Sequence, residues 1–416
     1  MKQKSSGKKP IPLYREKAPS RKRPARTRAY RSVDSAVIHE DPPLPADGET
    51  QPILSGFDEL NQTANRTIGA ASSVALNNAL RRYGLEGEEA FLVLASRYLE
   101  TQEAARRDFS FFPVERGFAA LSMVAHDKQV LSILDGIMAA DPQGRELPTW
   151  YQFFFGRRFR EGSGKFFTPR TVAAAMAKLL PVQSGAILMD PTCGGGTFLS
   201  EASRRWQDTP CRLVGNDVDR MLVGLTELVL ALSTAANHGF ALSCYNLYDA
   251  DSEFRNLQGK VDGILANPPF SLPLERVAKP GALFTLGYRN SDALFLDVCL
   301  DMLAPGGDLV CLLPHSLVVN ADFDQLRRTV EKHWELCGVV TLPEGVFYLT
   351  GNTTTRADIL HLRKRVGRHP QTRKAFFANA PTVGFPLNSR TTYFGENSLE
   401  LIAGDPRVLE CADIAR

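Results

Sequence analysis

AILMDPTCGGGTFLSEASRRWQDTPCRLVGN (residues 186–216) is the stretch that decides the fold. Its opening run, AILMD (186–190), is short, apolar and not alternating, which predicts a strand buried on both faces. Three glycines at 194–196 interrupt it, TFLSEASRRW (197–206) reads as a helix, and RLVGN (212–216) is a second strand. Strand, glycine loop, helix and strand in so short a span predict a parallel pair joined by a crossover.

Outward from this unit the alternation continues. FALSC (240–244), VDGILA (261–266), DLVCLLP (308–314), CGVVTL (337–342) and ADILHLR (357–363) are strand candidates. Helical patterns lie between most of them, in VDRMLVGLTELVLALSTAAN (218–237), SDALFLDVCLDML (291–303) and DFDQLRRTVEKHW (322–334). The fold class is therefore α/β, an open and mostly parallel sheet covered on both faces. In residues 366–416 the texture is mixed: KAFFANA (374–380) can form a strand and LELIAG (399–404) a short helix. Residues 51–160 read as a separate helical domain of four to six helices. Their apolar spacing is helical, as in AFLVLASRYLETQEAARR (90–107), and breaks fall at Tyr83-Gly84, Phe112-Pro113 and Asp141-Pro142. The expected organisation is thus 1–50, 51–160, 161–365 and 366–416.

Charge is distributed unevenly. Residues 1–31 hold twelve Lys or Arg against one acid, Glu16, a net of +11, so the whole-chain +3 leaves about −8 for residues 32–416. Rich also in proline, residues 1–50 are expected to be disordered, and such a basic arm suits contact with nucleic acid or simple solubilisation. The seven cysteines are scattered without CxxC spacing, and the histidines without HxxxH spacing. A reducing cytoplasm and no metal site are expected. No run approaches the ~18 apolar residues of a membrane span, and the basic start has no apolar segment behind it.

Asn-Pro-Pro-Phe (267–270) follows the strand VDGILA. An aromatic amine is a poor nucleophile because its lone pair is delocalised into the ring. The Asn267 side-chain oxygen and the Pro268 carbonyl can accept its two hydrogens and free that lone pair. Pro268 and Pro269 stiffen the loop, and Phe270 offers a face for a planar base. Three further signals fall at the ends of consecutive strands, where ligands bind in such sheets. The loop DPTCGGGTF (190–198) permits close approach of a ligand, and its acid, Asp190, suits a cationic group rather than a phosphate. Asp217, about 20 residues on, stands where a ribose diol is gripped. The third strand ends near Asn246. Upstream, GKFFTPR (164–170) predicts a helix start with Thr168 as N-cap and Pro169 in the first turn.

Taken in this order, GKFFTPR, DPTCGGGTF, GND and NPPF resemble the N6-adenine DNA methyltransferases. The chain resembles more closely the modification subunit of type I restriction-modification systems, over about residues 55–365. The resemblance implies a class I S-adenosylmethionine-dependent methyltransferase fold, Rossmann-like with a seven-stranded mostly parallel sheet, behind an N-terminal helical domain. It implies S-adenosylmethionine as methyl donor, with Phe167, Thr168, Asp190, Thr192, Gly194, Gly196, Asp217 and Asn246 as its binding positions. Of these, Thr168 and the loop from Asp190 to Gly196 would hold the donor's methionine end, and Asp217 the ribose. Asn246 stands where many relatives place a carboxylate on the donor's adenine. Asn267, Pro268, Pro269 and Phe270 would hold the target adenine, flipped out of DNA. The resemblance also implies a separate DNA-specificity subunit, because the ~50 residues after the catalytic region are too few for a recognition domain. A restriction or translocase subunit would be a further partner, since the chain carries no P-loop, and the location would be the prokaryotic cytoplasm and nucleoid. A methyltransferase acting on RNA or on a protein glutamine is the alternative enzyme. A non-catalytic DNA-binding subunit that keeps the fold is the alternative outside catalysis.

Overall fold

The computed structural model describes residues 66–101, 108–160, 167–249, 256–347, 355–367, 374–385, 387 and 396–413. The basic arm and the expected disorder of residues 1–50 lie outside the described residues.

Eight strands form one sheet: β1 (Ala186–Asp190), β2 (Cys211–Asn216), β3 (Gly239–Ser243), β4 (Val261–Ala266), β5 (Leu303–Pro314), β6 (Trp334–Thr341), β7 (Ala357–Lys364) and β8 (Phe376–Asn379). Their order is β3-β2-β1-β4-β5-β7-β6-β8, with β7 antiparallel to both neighbours and every other pairing parallel. The seven strands implied by resemblance are corrected to eight. The extra strand is the KAFFANA segment, which joins the edge beside β6 in the register Gly338↔Phe376. A side chain at Gly338 would overlap the Phe376 ring, so the absence of one there is what seats the eighth strand.

Apolar residues on both faces of the central strands explain why they lie inside. Leu188, Leu213, Leu265 and Val310 face a core shared with the helices Arg170–Lys178 and Thr197–Arg205. Their neighbours Met189, Val214, Ile264 and Leu309 face the opposite core, closed by Phe295, Leu296 and Cys299 of the helix Ser291–Met302. The two-residue period of a strand puts consecutive residues in different layers, so both must be apolar. At the carboxyl-terminal end, Ser398–Gly404 and Pro406–Cys411 add Leu399, Ala403 and Val408 to the first core. The second of these short helices went unread in the sequence, although Asp405 before Pro406 is a helix-start signal.

Among the described residues, five helices lie ahead of the helix Arg170–Lys178 and the sheet: Arg66–Arg81, Glu88–Thr101, Val114–Ser122, Lys128–Ala140 and Leu147–Arg160. They fall between the three expected breaks and enclose a core that also takes Leu222, Leu225, Leu228 and Val229 from the helix Arg220–Ser233. Glu227 of that helix secures the junction. Its carboxylate accepts the backbone N–H groups of Ser110, Phe111 and Phe112, each at 2.8 Å. Arg220 adds a bond to the Ser110 carbonyl at 2.9 Å. Among the described residues no helix is long and apolar enough to cross a membrane.

Candidate active site at the carboxyl ends of the strands

The chain runs outward from β1 to β2 and β3, then returns to place β4 on the other side of β1. This reversal opens a crevice at the carboxyl ends of β1 and β4, where the two principal sequence motifs begin. Asp190 ends β1, and Asn267 follows the last residue of β4.

On the β1 side the loop is built around two carboxylates. Asp217, just beyond β2, accepts the Gly194 N–H at 3.0 Å and the Asp219 N–H at 2.9 Å. Asp190 Oδ1 accepts the Thr192 N–H at 3.0 Å, while Oδ2 is buried without a partner among the described residues. Burial pushes the Asp190 carboxyl well above the usual carboxylate range; the Thr192 N–H opposes this and the nearby Asp217 charge adds to it. Gly196 opens the helix Thr197–Arg205 at φ +80°, and a side chain there would meet Thr226 at 3.1 Å. The Thr226 hydroxyl donates to the Gly194 carbonyl at 2.7 Å and fixes the loop from below. Phe167 is buried and packs edge-on to Tyr151 at 6.2 Å.

Asn216 binds the strand ends together. Its Nδ2 donates to the Pro191 and Tyr245 carbonyls at 3.1 and 3.2 Å, and its Oδ1 accepts from Ser243 and from the Tyr245 N–H. Quoted in the sequence only as part of GND, it carries this positioning task unnoticed, because its partners lie 25 to 29 residues away. Asn246 is exposed, three residues past β3, and its side-chain oxygen accepts the Tyr248 N–H at 3.1 Å. Val218 and Tyr245 stand exposed next to Asp217 and to the end of β3, an apolar rim that the sequence reading did not single out.

On the β4 side, Asn267 Nδ2 donates to Thr168 Oγ1 at 3.1 Å. Its Oδ1 is buried and has no partner among the described residues. Thr168 corrects one expectation. Pro169 occupies the N-cap position and the helix begins at Arg170, so the Thr168 hydroxyl serves the Asn267 loop rather than a helix end. Pro268 is buried, and Phe270 packs edge-on to Phe347 at 6.2 Å. Beyond Phe270, Ser271 takes φ +56°. On the neighbouring strand, His315 directly after β5 sets Nδ1 at 2.9 and 3.0 Å from the two oxygens of buried Asp358.

A second polar cluster lies away from this crevice. Ligand atoms of Asp308, Cys337 and His361 come within 4.8 Å of one another, all buried. Asp308 lies about 20 Å along β5 from Pro314, by the rise of a strand. Its oxygens already meet the Arg363 guanidinium at 3.0 and 3.2 Å and His361 Nε2 at 2.7 Å. Arg363 continues to Asp413 at 2.6 Å, so the cluster ties the carboxyl-terminal segment to the sheet.

The residues at this end of the sheet suit a cationic ligand. An orphaned acceptor at Asp190, a glycine loop at its rim and an unpartnered amide oxygen at Asn267 face the same end of adjacent strands. The sequence model of the N-6 DNA Methylase family matches residues 150–404. The chain is 26% identical over 265 residues to the type II restriction enzyme and methyltransferase RM.BcgI of Heyndrickxia coagulans, covering 58% of this chain and 39% of that one. Over 231 residues it is 24% identical to the type I restriction enzyme EcoEI methylase subunit of Escherichia coli, covering 53% and 47%. It therefore spans less than half the length of these two curated relatives. Among solved structures it resembles a protein of Listeria monocytogenes described as a class I S-adenosylmethionine-dependent methyltransferase. The TM-score is 0.53 at 19% identity, over 78% of this chain and 95% of that one. That likeness shows the class I methyltransferase fold.

Proposed function

The chain belongs to the N-6 DNA Methylase family, and from that premise we propose that it methylates the N6 amine of adenine in DNA as the modification subunit of a restriction-modification system. The observation that carries this reading is the buried Asn267 Oδ1, held by the bond from its own amide to Thr168 and left free to accept. An incoming amine donates one hydrogen to that oxygen and the other to the Pro268 carbonyl. Its nitrogen is thereby drawn toward a tetrahedral shape with the lone pair exposed. Phe270 supplies the stacking face, and a base must leave the duplex to reach it.

S-adenosylmethionine supplies an electrophilic methyl on a sulfonium when bound. Asp190 would take the cationic methionine end through its orphaned oxygen, with Thr192, Gly194 and Gly196 around it. Asp217 would accept the ribose hydroxyls, since a carboxylate can take more than one donor on each oxygen. Val218, Tyr245 and Asn246 would border the adenine. Direct in-line transfer would form the nitrogen–carbon bond as the carbon–sulfur bond breaks, the sulfur leaving as a neutral thioether and the methylated amine giving up one proton, so no metal is required. DNA sequence specificity is assigned to a separate subunit, with cleavage or translocation on another.

The test is incubation of the purified chain, alone and with candidate specificity subunits, with labelled S-adenosylmethionine and each of three acceptors. These are DNA from a methylation-free host, structured RNA and whole protein. Label on adenine N6 of DNA that disappears in Asn267→Ala is the expected result. Label on RNA or on glutamine only, or label that survives Asn267→Ala, overturns the reading.

A further inference from the structure

We propose that Asp292 and Ser291, at the start of the helix Ser291–Met302, are positioning residues that hold the Asn-Pro-Pro-Phe loop in its reactive shape. The inference rests on the function proposed above. Three backbone positions of the loop are bound to these two side chains. Ser291 Oγ donates to the Pro269 carbonyl at 2.7 Å and accepts the Leu272 N–H at 3.0 Å. Both Asp292 oxygens lie 3.0 Å from the Ser271 N–H, and Oδ2 takes the Ser271 hydroxyl at 3.2 Å. The Leu272 carbonyl accepts the Ser291 N–H at 2.8 Å and closes the clamp.

Ser271 is the reason a clamp is required. Its φ of +56° lies in the left-handed region that an L side chain adopts only under restraint. It directly follows Phe270, so its conformation sets where the chain leaves the stacking face. Released, the residue relaxes to negative φ and carries the Phe270 ring and the Asn267 acceptors with it. Asp292 is 2% exposed, and its hydrogen-bond donors are loop and turn groups rather than a cation. Burying a carboxylate without a counter-charge is costly for stability. Burial accordingly raises its carboxyl pKa, with the Ser271 bonds pulling the other way. The bonds to Ser271 span 21 residues and none caps its own helix, so capping does not account for the acid.

The test uses the full chain with two readouts, methyl transfer to DNA and amide hydrogen exchange at residues 271 and 272. Asp292→Ala is expected to lower kcat by about tenfold to a hundredfold, with donor affinity within twofold of the parent. The Ser271 and Leu272 amides should lose protection at the same time. Adding Ser271→Gly, which occupies positive φ freely, is expected to recover at least about threefold of the lost kcat. If Asp292→Ala does not fold, Asp292→Asn replaces it with the same expectations at smaller size. Unchanged kcat in the single variant, or no recovery in the double variant, overturns the proposal. If the parent chain transfers no methyl to any acceptor, alone or with candidate specificity subunits, the function is wrong and hydrogen exchange alone judges the clamp. Unprotected Ser271 and Leu272 amides in the parent then overturn it, and protection lost on Asp292→Ala supports it.

Discussion

Asn267 and Thr168 stand 99 residues apart in the chain, yet the Asn267 amide donates to the Thr168 hydroxyl at 3.1 Å. This bond joins the segment before the first strand to the loop after the fourth. It also decides which end of the amide is left to accept. With Nδ2 engaged, Oδ1 is buried without a donor among the described residues.

Asn267→Ala is therefore expected to lower kcat by more than about a hundredfold, since it removes an acceptor poised for the transition state. Donor affinity should stay within twofold. Thr168→Val keeps the shape but frees the amide to rotate, so a loss of about tenfold is expected. Steady-state kinetics beside calorimetry of donor binding separates these effects. A variant lacking the Asn267 amide that kept a tenth of parental kcat would contradict the role.

Asp217 has a different signature. Asp217→Ala is expected to weaken the donor by ~1.5–3 kcal/mol, about tenfold to a hundredfold in Kd. Asp217→Asn keeps one oxygen for the Gly194 N–H and should fall between the two. Titration calorimetry reads the difference, and equal affinities across the three proteins would remove Asp217 from the donor site.

For Asp190 the sign of the pH dependence can be worked out. Burial raises its carboxyl pKa in the folded chain, against about 3.9 when unfolded. Below the unfolded value both states hold the proton and the group contributes nothing. As pH rises past it, the unfolded chain ionises first, so the donor-free protein loses stability up to the raised folded value. Asp190→Asn should thus raise the donor-free Tm more at pH 7 than at pH 4, while binding donor at least about tenfold more weakly. Thermal scans at both pH values, with and without donor, check this. An equal Tm gain at the two pH values would show that burial of the charge is not the cause.

Glu227 tests the junction between helices and sheet. Glu227→Ala leaves three backbone N–H groups at residues 110–112 without their acceptor. A loss of about 2–4 kcal/mol is expected. Glu227→Gln retains one acceptor oxygen and should cost less. Denaturant midpoints measure both, and a change below about 0.5 kcal/mol would mean that the loop docks by packing alone.

The sequence by itself determined the strands, the helices between them and the places where chemistry could sit. AILMD and VDGILA are strands to the residue, because most of their residues are apolar and a proline follows each end within two positions. The Asp-Pro and Asn-Pro-Pro signals were likewise local and legible. Tertiary structure alone decided what each side chain faces. Thr168 looked like a helix cap and instead meets Asn267; Asp292, which the sequence offered only as one letter of a helical pattern, grips Ser271. KAFFANA joined the sheet only because Gly338 leaves room for the Phe376 ring. The physical reason is the same throughout. Strand and helix patterns are written within a few residues, whereas a hydrogen bond across twenty or a hundred residues leaves no local trace. Whether a polar atom is satisfied or left to bind a ligand depends on which distant segment folds against it.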